Sequence, residues 1–179
     1  MLSGGGAEPR KNIVRLIEAF GRAPRLRETV NLVVVGGMDR GAEAVHDAVR
    51  RSQLESAVIF PGHVSLDDLR ALYSTCALFV FPSLYEGFGM PPLEAMACGA
   101  PVVCSNASSL PEVVGDAALL VDPIDVEAMA AAMTRVIEDG SLCEDLRRRG
   151  ALRVKAYSWE QSARDLLQVY QDVVREKSA

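Results

Sequence analysis

Short, continuously apolar runs alternate with longer stretches of helical periodicity along most of the chain. Apolar runs without alternation are typical of strands that are covered on both faces, as in a parallel sheet. Glycine or proline lies close to one end of every run, where it would open or end a strand. The predicted strands are 32–35, 58–60, 78–81, 102–104 and 118–121.

Apolar residues at helical spacing fill the intervals between these runs and the whole region after residue 121. Residues 65–68 and 158–161 both begin with serine and have the spacing of an N-terminal capping box. The predicted helices are 11–20, 42–53, 69–76, 126–139, 141–156 and 159–176. The pattern predicts an α/β fold: a Rossmann-like parallel sheet of five or six strands with helices on both faces, and an all-helical C-terminal third.

The first residues stand outside this pattern because they are rich in glycine and carry no clear strand or helix signal. They also lack the basic region and the apolar run of a signal peptide. We expect residues 1–7 to be a flexible leader of the kind that cloning can leave, and residues 8–179 to form a single domain.

The composition, with 49% hydrophobic residues among 179 and a net charge of −5, narrows the class of protein. A chain of this length can bury a core of its own, and this apolar fraction excludes intrinsic disorder. No run approaches the ~18 apolar residues of a membrane span. The negative charge argues against a nucleic-acid partner, so a phosphate ligand would depend on local geometry rather than on a basic surface.

The four cysteines, Cys76, Cys98, Cys104 and Cys143, lie singly and favour neither a disulfide framework nor a zinc site. Only two histidines accompany them, so we expect no bound metal. Small buried thiols are typical of a reducing compartment, and we expect a cytoplasmic location.

Ligands of open parallel sheets bind at the carboxyl ends of the strands, which points to the loops that follow them. In the loop 36–41, Met38 breaks the dinucleotide fingerprint, and Ala42 and Glu43 replace the Lys and Ser/Thr of a phosphate-binding loop. A tight turn is the simpler interpretation, with backbone contact to a ligand as the alternative. Residues 109–112 have capping-box spacing, which favours a structural role.

The loop 82–94 carries a stronger chemical signal. Gly87 and Gly89 allow a ligand to approach the backbone, and the helix that begins near two prolines adds a partial positive charge suited to phosphate. Glu86 and Glu94 flank this loop, where sugar hydroxyls would be their natural partners. The alternatives are a solvated Glu86 and a Glu94 that merely complements the helix dipole.

The segment 8–12 opens the first predicted helix with two cations, Arg10 and Lys11. Cations at a helix start oppose its dipole unless an anion offsets them. This segment therefore hints at a phosphate contact.

Four motifs in order resemble the family 4 retaining glycosyltransferases (glycosyl transferases group 1). Residues 82–99 resemble the E-x7-E signature of the family, and 8–12 resemble its phosphate-contacting segment. Residues 110–116 and 157–160 also resemble the usual sequence of the family at these two segments. The resemblance extends from residue 8 to about residue 175 and implies one of the two Rossmann-like domains of a GT-B fold.

The resemblance implies a role for each matching residue. Glu86 would bind the donor sugar at the catalytic centre, Glu94 would hold the ribose, and the backbone of Val64 would meet the base. Lys11, with Arg10, would neutralise the diphosphate, and His63 is not assigned as an acid or base. Backbone contacts to the sugar and diphosphate would come from Gly87, Phe88, Gly89 and Met90.

The reaction implied is transfer of a hexose from a nucleoside diphosphate sugar, GDP- or UDP-linked, to an acceptor hydroxyl with retention of configuration. The family needs no metal and no separate cofactor, and the chain has no D-x-D motif. The tract 105–110 resembles mannosyltransferase-like members, so mannose is the favoured sugar.

Two departures from the family pattern are visible. Gly4, Gly5 and Gly6 stand where the family has the end of a strand and an Arg or Thr, so we expect one phosphate ligand, and with it one strand, to be missing. By the same comparison with the family, we expect the N-terminal acceptor domain and its histidine to be missing from these 179 residues as well. We therefore expect the chain alone to be inactive or nearly so, while the full enzyme could associate peripherally with a membrane.

Two other functions stay open. The chain could be a non-catalytic sugar-nucleotide-binding or interaction module that acts with a separate partner chain. A nicotinamide-binding Rossmann domain is disfavoured because the glycine fingerprint fails at Met38.

Overall fold

A six-stranded parallel sheet in the order β3-β2-β1-β4-β5-β6 forms the centre of the computed structural model, which describes residues 1–177. The Rossmann-like prediction is therefore confirmed, with six strands. The strands are β1 (Leu2–Gly4), β2 (Leu32–Val35), β3 (Val58–Gly62), β4 (Phe79–Phe81), β5 (Val102–Ser105) and β6 (Leu119–Val121).

The described helices lie between and after the strands, and the region after β6 is helical as predicted. They are α1 (Ile13–Gly21), α2 (Pro24–Thr29), α3 (Ala42–Arg51), α4 (Leu66–Thr75), α5 (Met90–Ala97), α6 (Leu110–Val114), α7 (Val126–Glu138), α8 (Gly140–Arg153) and α9 (Trp159–Lys177). Short 3-10 turns lie before α1, after α6 and after α8.

Side chains alternate across the sheet, so a strand in its interior can contribute to two apolar layers. In β4, Val80 packs in one layer with α1, α3 and α7, whereas Phe79 and Phe81 pack in the other with α4, α5 and α6. All three side chains are fully buried. Both faces of the sheet are covered, which explains why its strands are continuously apolar in sequence.

The expected flexible leader is wrong, because residues 1–7 contain the central strand. Leu2 is 1% exposed and pairs with Val33 of β2 on one side and with Phe79 of β4 on the other. The strand that the family comparison suggested was missing is thus present. All three of its residues pair with β2, and Leu2 also pairs with β4. This stabilisation by neighbouring strands cannot be detected in the local sequence pattern.

The first helix differs from its predicted bounds for a similar reason. Pro9–Lys11 form a 3-10 turn, and Asn12 follows in the left-handed conformation with φ 60°, so α1 begins only at Ile13. The short helix α2 carries no amphipathic signal of its own, and the sequence pattern did not predict it.

Helix α9 lies outside the two apolar layers, with its described side chains exposed. Within residues 1–177, no helix combines the length and the apolar character needed to cross a membrane. The four cysteines are all free thiols. Burial raises the pKa of Cys104 on β5 to about 12, which keeps this thiol protonated and inert.

Candidate functional site

The strand order reverses between β1 and β4, and the loops that follow these two strands face each other across that point. Such a topological switch point is where open α/β sheets bind ligands. The Leu84 amide donates to the carbonyl of Arg10 at 2.8 Å, joining the two loops directly. The side chain of the buried Asn12 donates through Nδ2 to the backbone carbonyls of Pro82 at 3.1 Å and Pro123 at 2.6 Å.

Four charged side chains meet at this switch point. Glu86 accepts hydrogen bonds from Lys11 Nζ at 2.7 Å and from Arg10 Nη1 at 2.9 Å. Arg10 Nε also lies 2.9 Å from Glu8 Oε1. We call Glu8, Arg10, Lys11 and Glu86 the charge cluster. The structure thus brings together three of the predicted site residues, Arg10, Lys11 and Glu86.

The inner part of the charge cluster is shielded from water. The side chains of Lys11 and Glu86 are 11% and 12% exposed, whereas that of Arg10 is 42% exposed. Lys11 Nζ also lies 5.0 Å from the centroid of the buried Phe81 ring, within cation–π range. Burial alone would raise the pKa of Glu86, but the hydrogen bond from Lys11 and the charges of Lys11 and Arg10 outweigh it and lower that pKa.

Glycines after β1 are required by close packing on the loop after β2. Gly6 has φ 62°, and a Cβ placed on it would lie 2.0 Å from the carbonyl oxygen of Gly37. A Cβ on Gly5 would lie 2.7 Å from the Lys11 side chain. The loop 36–41 therefore supports the β1 loop, and a larger side chain at position 6 would require these two loops to move apart, whereas one at position 5 would displace Lys11.

Two serines hold the loop that contains Glu86, and the predicted capping role of residues 109–112 is wrong. Ser109 makes no side-chain cap for α6, and its Oγ lies 2.9 Å from the Glu86 carbonyl and 2.6 Å from the Phe88 carbonyl. The Glu86 amide donates to Ser108 Oγ at 2.9 Å. Capping-box spacing hid this role, since the same serine spacing serves either a helix start or a contact with a distant loop.

The loop ends where α5 begins. Gly89 precedes the helix with φ 121°, and Pro91 and Pro92 lie in its first turn, as predicted. A Cβ on Gly89 would lie 2.7 Å from Leu110 Cδ2, so this position also has no room for a side chain. Gly87, Phe88 and Met90 are exposed, whereas Gly89 is buried.

Glu94 lies on α5 and is exposed, apart from a contact with Tyr73 of α4. The Tyr73 hydroxyl donates to Glu94 Oε2 at 3.2 Å. Burial first, and then the Glu94 charge, raise the pKa of Tyr73, so this hydroxyl stays protonated and keeps its proton for Glu94. Tyr73 was not foreseen as a site residue, because nothing in its local sequence links it to Glu94. Val64 packs against the same apolar layer as Tyr73.

The structure also locates His63 and the side chains that could bind a metal ion. The exposed His63 is next to the glycine loop after β2, where a Cβ on Gly37 would lie 3.2 Å from its Nε2. Among residues 1–177, no group of three His, Cys, Asp or Glu side chains is placed to hold a metal ion.

These features define a doubly wound α/β domain with a cluster of charged side chains at its switch point. The sequence matches the profile of the family described as Glycosyl transferases group 1 over residues 1–153. The chain belongs to the group 1 glycosyltransferases.

Characterised relatives and solved structures agree with this assignment. The O-antigen chain mannosyltransferase B of Escherichia coli is 42% identical over 93% of this chain and 44% of its own length. Sucrose-phosphate synthase from Thermosynechococcus elongatus is 32% identical with a TM-score of 0.86, over 98% of this chain and 45% of its own. The Anabaena protein HepE, solved in complex with UDP, is 25% identical with a TM-score of 0.78, over 99% of this chain and 48% of its own. The chain thus spans less than half the length of each of these proteins.

Proposed function

We propose that this chain is the donor-binding half of a retaining glycosyltransferase that transfers a hexose from a nucleoside diphosphate sugar to an acceptor hydroxyl. The observation that carries the proposal is the pairing of Lys11 and Arg10 with Glu86 at the switch point, beside the N-terminus of α5. A cation pair and a carboxylate in one place suit a ligand that has an anionic part and a hydroxyl-rich part.

Lys11, Arg10 and the start of α5 would bind the diphosphate. The helix N-terminus contributes a partial positive charge, and the exposed Gly87, Phe88 and Met90 would offer backbone N–H groups to the diphosphate. These groups would stabilise the negative charge that develops on the leaving diphosphate, so the proposed transfer uses no metal ion and no separate cofactor.

Glu86 would accept hydrogen bonds from hydroxyls of the donor sugar and orient it for transfer. Glu94, oriented by Tyr73, would accept hydrogen bonds from the ribose, and the backbone of Val64 would meet the base. Holding the sugar and the diphosphate in fixed positions lowers the entropic part of the barrier to transfer.

The donor is proposed to be GDP- or UDP-linked. The relative that is 42% identical is named a mannosyltransferase, which supports mannose as the sugar, whereas HepE was solved with UDP. The acceptor would bind to a part of the protein outside the 179 residues, since the chain spans less than half of its relatives. We therefore expect the chain alone to bind the donor but not to transfer the sugar. We also propose a cytoplasmic location for the enzyme.

The test is calorimetric titration of the chain with GDP, UDP and ADP. We expect binding of one of them, and Glu94→Ala should weaken it by about 1.5–3 kcal/mol, the scale of a hydrogen bond to a charged group. The matched control is Glu144→Ala, which removes an exposed glutamate early in α8. Absence of binding of these nucleotides and of their sugar-linked forms at millimolar concentration would overturn the proposal, and binding of a nicotinamide dinucleotide instead would indicate a different Rossmann function.

A transfer assay on the complete reading frame separates the enzyme from a binding module. Transfer of the hexose with retention of configuration supports the enzyme. Donor binding without transfer, in a full-length protein that folds, would favour a non-catalytic module that acts with a separate partner chain.

A further inference from the structure

In the free chain, both cations of the charge cluster are already paired with carboxylates. Lys11 is paired with Glu86, and Arg10 is shared between Glu86 and Glu8. Two positive and two negative side chains leave the cluster with no net charge to offer an anion. A diphosphate that enters the site therefore finds Lys11 and Arg10 already paired with Glu86.

Removing Lys11 from Glu86 has a cost, because the pair lies in a shielded place. The Nζ–Oε1 distance is 2.7 Å, and both side chains are about nine-tenths buried. A carboxylate in such surroundings that loses its donors without replacement is strongly disfavoured. If Lys11 instead stays between Glu86 and the diphosphate, the two anions repel each other at close range.

A sugar on the diphosphate changes this balance. Its hydroxyls can donate to Glu86 and replace the hydrogen bonds that Lys11 and Arg10 give up. A nucleoside diphosphate without the sugar has no such donors at this position. The same carboxylate therefore opposes the bare diphosphate and accepts the sugar-bearing one.

Resting on the proposed function, we propose that Glu86 acts as a specificity residue that favours the sugar nucleotide over the free nucleoside diphosphate, by competing with the diphosphate for Lys11 and Arg10. Once the sugar has left, Glu86 recaptures Lys11 and promotes release of the nucleoside diphosphate. This role differs from sugar contact alone, which predicts no effect of Glu86 on a ligand without a sugar.

The outer carboxylate, Glu8, provides a matched control. Glu8 contacts only the exposed Arg10 within the charge cluster, and its side chain is 49% exposed. An ion pair with this exposure contributes little and is screened by salt. Glu8→Gln removes one negative charge from the same cluster but leaves the Lys11–Glu86 pair in place.

The affinities of the unaltered chain for GDP, UDP, GDP-mannose and UDP-glucose are measured first, to find which base it binds more tightly. The variants are then compared with the nucleoside diphosphate and the sugar nucleotide of that base. Glu86→Gln should bind the nucleoside diphosphate roughly three- to thirtyfold more tightly, and the preference for the sugar-linked form should be lost. Glu8→Gln should change the affinity for the nucleoside diphosphate by no more than about twofold. In a Lys11→Met background, the gain from Glu86→Gln should be smaller, because only Arg10 is left for the carboxylate and the diphosphate to compete for.

Glu86→Asp provides a second variant in case the Glu86→Gln variant does not fold. It keeps the charge but shortens the side chain, which weakens its hold on Lys11, and an intermediate gain in nucleoside diphosphate affinity is expected. An unchanged or weaker affinity in the Glu86 variants, with the unaltered chain binding normally, overturns the competition but not the proposed function. If the unaltered chain binds none of the four ligands, both proposals fail.

Discussion

At the scale of single residues, the site depends on side chains that reach distant parts of the chain. Asn12 joins the loop after β1 to those after β4 and β6, and Ser109 joins the loop after β5 to the one that carries Glu86. These contacts place the charges of Lys11 and Glu86 within hydrogen-bond distance. The geometry of the site therefore follows from the loops of neighbouring strands rather than from any single loop.

The lowered pKa of Glu86 makes a specific prediction for stability against pH. Because the unfolded carboxyl takes up a proton near its ordinary value of 4.5 and the folded one only at lower pH, the unfolded chain binds more protons in between. The contribution of Glu86 to the free energy of unfolding is thus fully present above this range, and it falls as pH drops through the lowered pKa.

Urea unfolding followed by circular dichroism at a series of pH values checks this prediction. The difference in free energy of unfolding between the unaltered chain and Glu86→Gln should shrink as the solution is acidified below pH 4.5. Two curves that stay parallel through the acid range would contradict it.

The residues that carry charge could be predicted from the sequence, whereas those that hold them in place could not. Arg10, Lys11 and Glu86 were expected in one site, and the structure brings them together. The contacts through which Asn12 and Ser109 position these loops were not predicted, because side-chain contacts across the sheet leave no periodic or motif signal. The binding roles themselves stay predictions until ligands are titrated.

At the scale of elements, five strands could be predicted because each is an apolar run with glycine or proline close by. Strand β1 could not, since its residues Leu2–Gly4 include only one large apolar side chain. Its strand conformation is imposed by β2 and β4, which bond to it on both sides. The strand conformation of residues 2–4 thus results from pairing and burial between neighbouring strands rather than from local propensity.

Because β1 lies at the centre of the sheet, truncation of its buried leucine should destabilise the fold strongly. The same truncation in a flexible leader would have no effect on stability. Leu2→Ala should lower the free energy of unfolding by about 2–5 kcal/mol, through lost burial and the cavity left behind. Leu66→Ala, at a position that is 81% exposed in α4, is the matched control and should change it by about 0.5 kcal/mol or less.

Urea unfolding at neutral pH, with equal slopes for the variants, measures both effects. Similar small losses for the two leucines would mean that β1 is not part of the core.

At the scale of the whole molecule, the two apolar layers close without α9. The side chains of Trp159, Leu166 and Tyr170 are all at least half exposed, although they recur at helical spacing. The sequence pattern predicted the helix but not its exposure, because amphipathic spacing indicates that a face can be covered and not what covers it.

Trp159, the single tryptophan of the chain, provides a test of this arrangement. Its side chain is 80% exposed, so its emission should change little when urea unfolds the chain, while the helical circular dichroism signal is lost. Acrylamide should quench it almost as well before unfolding as after.

The control moves the single indole into the core by combining Trp159→Phe with Tyr73→Trp, since Tyr73 is 4% exposed. That chain should show a large emission shift on unfolding. A large shift from Trp159 itself would show that α9 packs against the rest of the chain.

The central position of β1 also sets the order in which the molecule can assemble. β1 can pair with β2 early in synthesis, but its other neighbour, β4, begins only at Phe79. Long-range parallel pairing of this kind is slow because a large loop must close first. Lys11 thus leaves the ribosome long before Glu86, and the site at the switch point is completed only when the second half of the sheet docks onto the first.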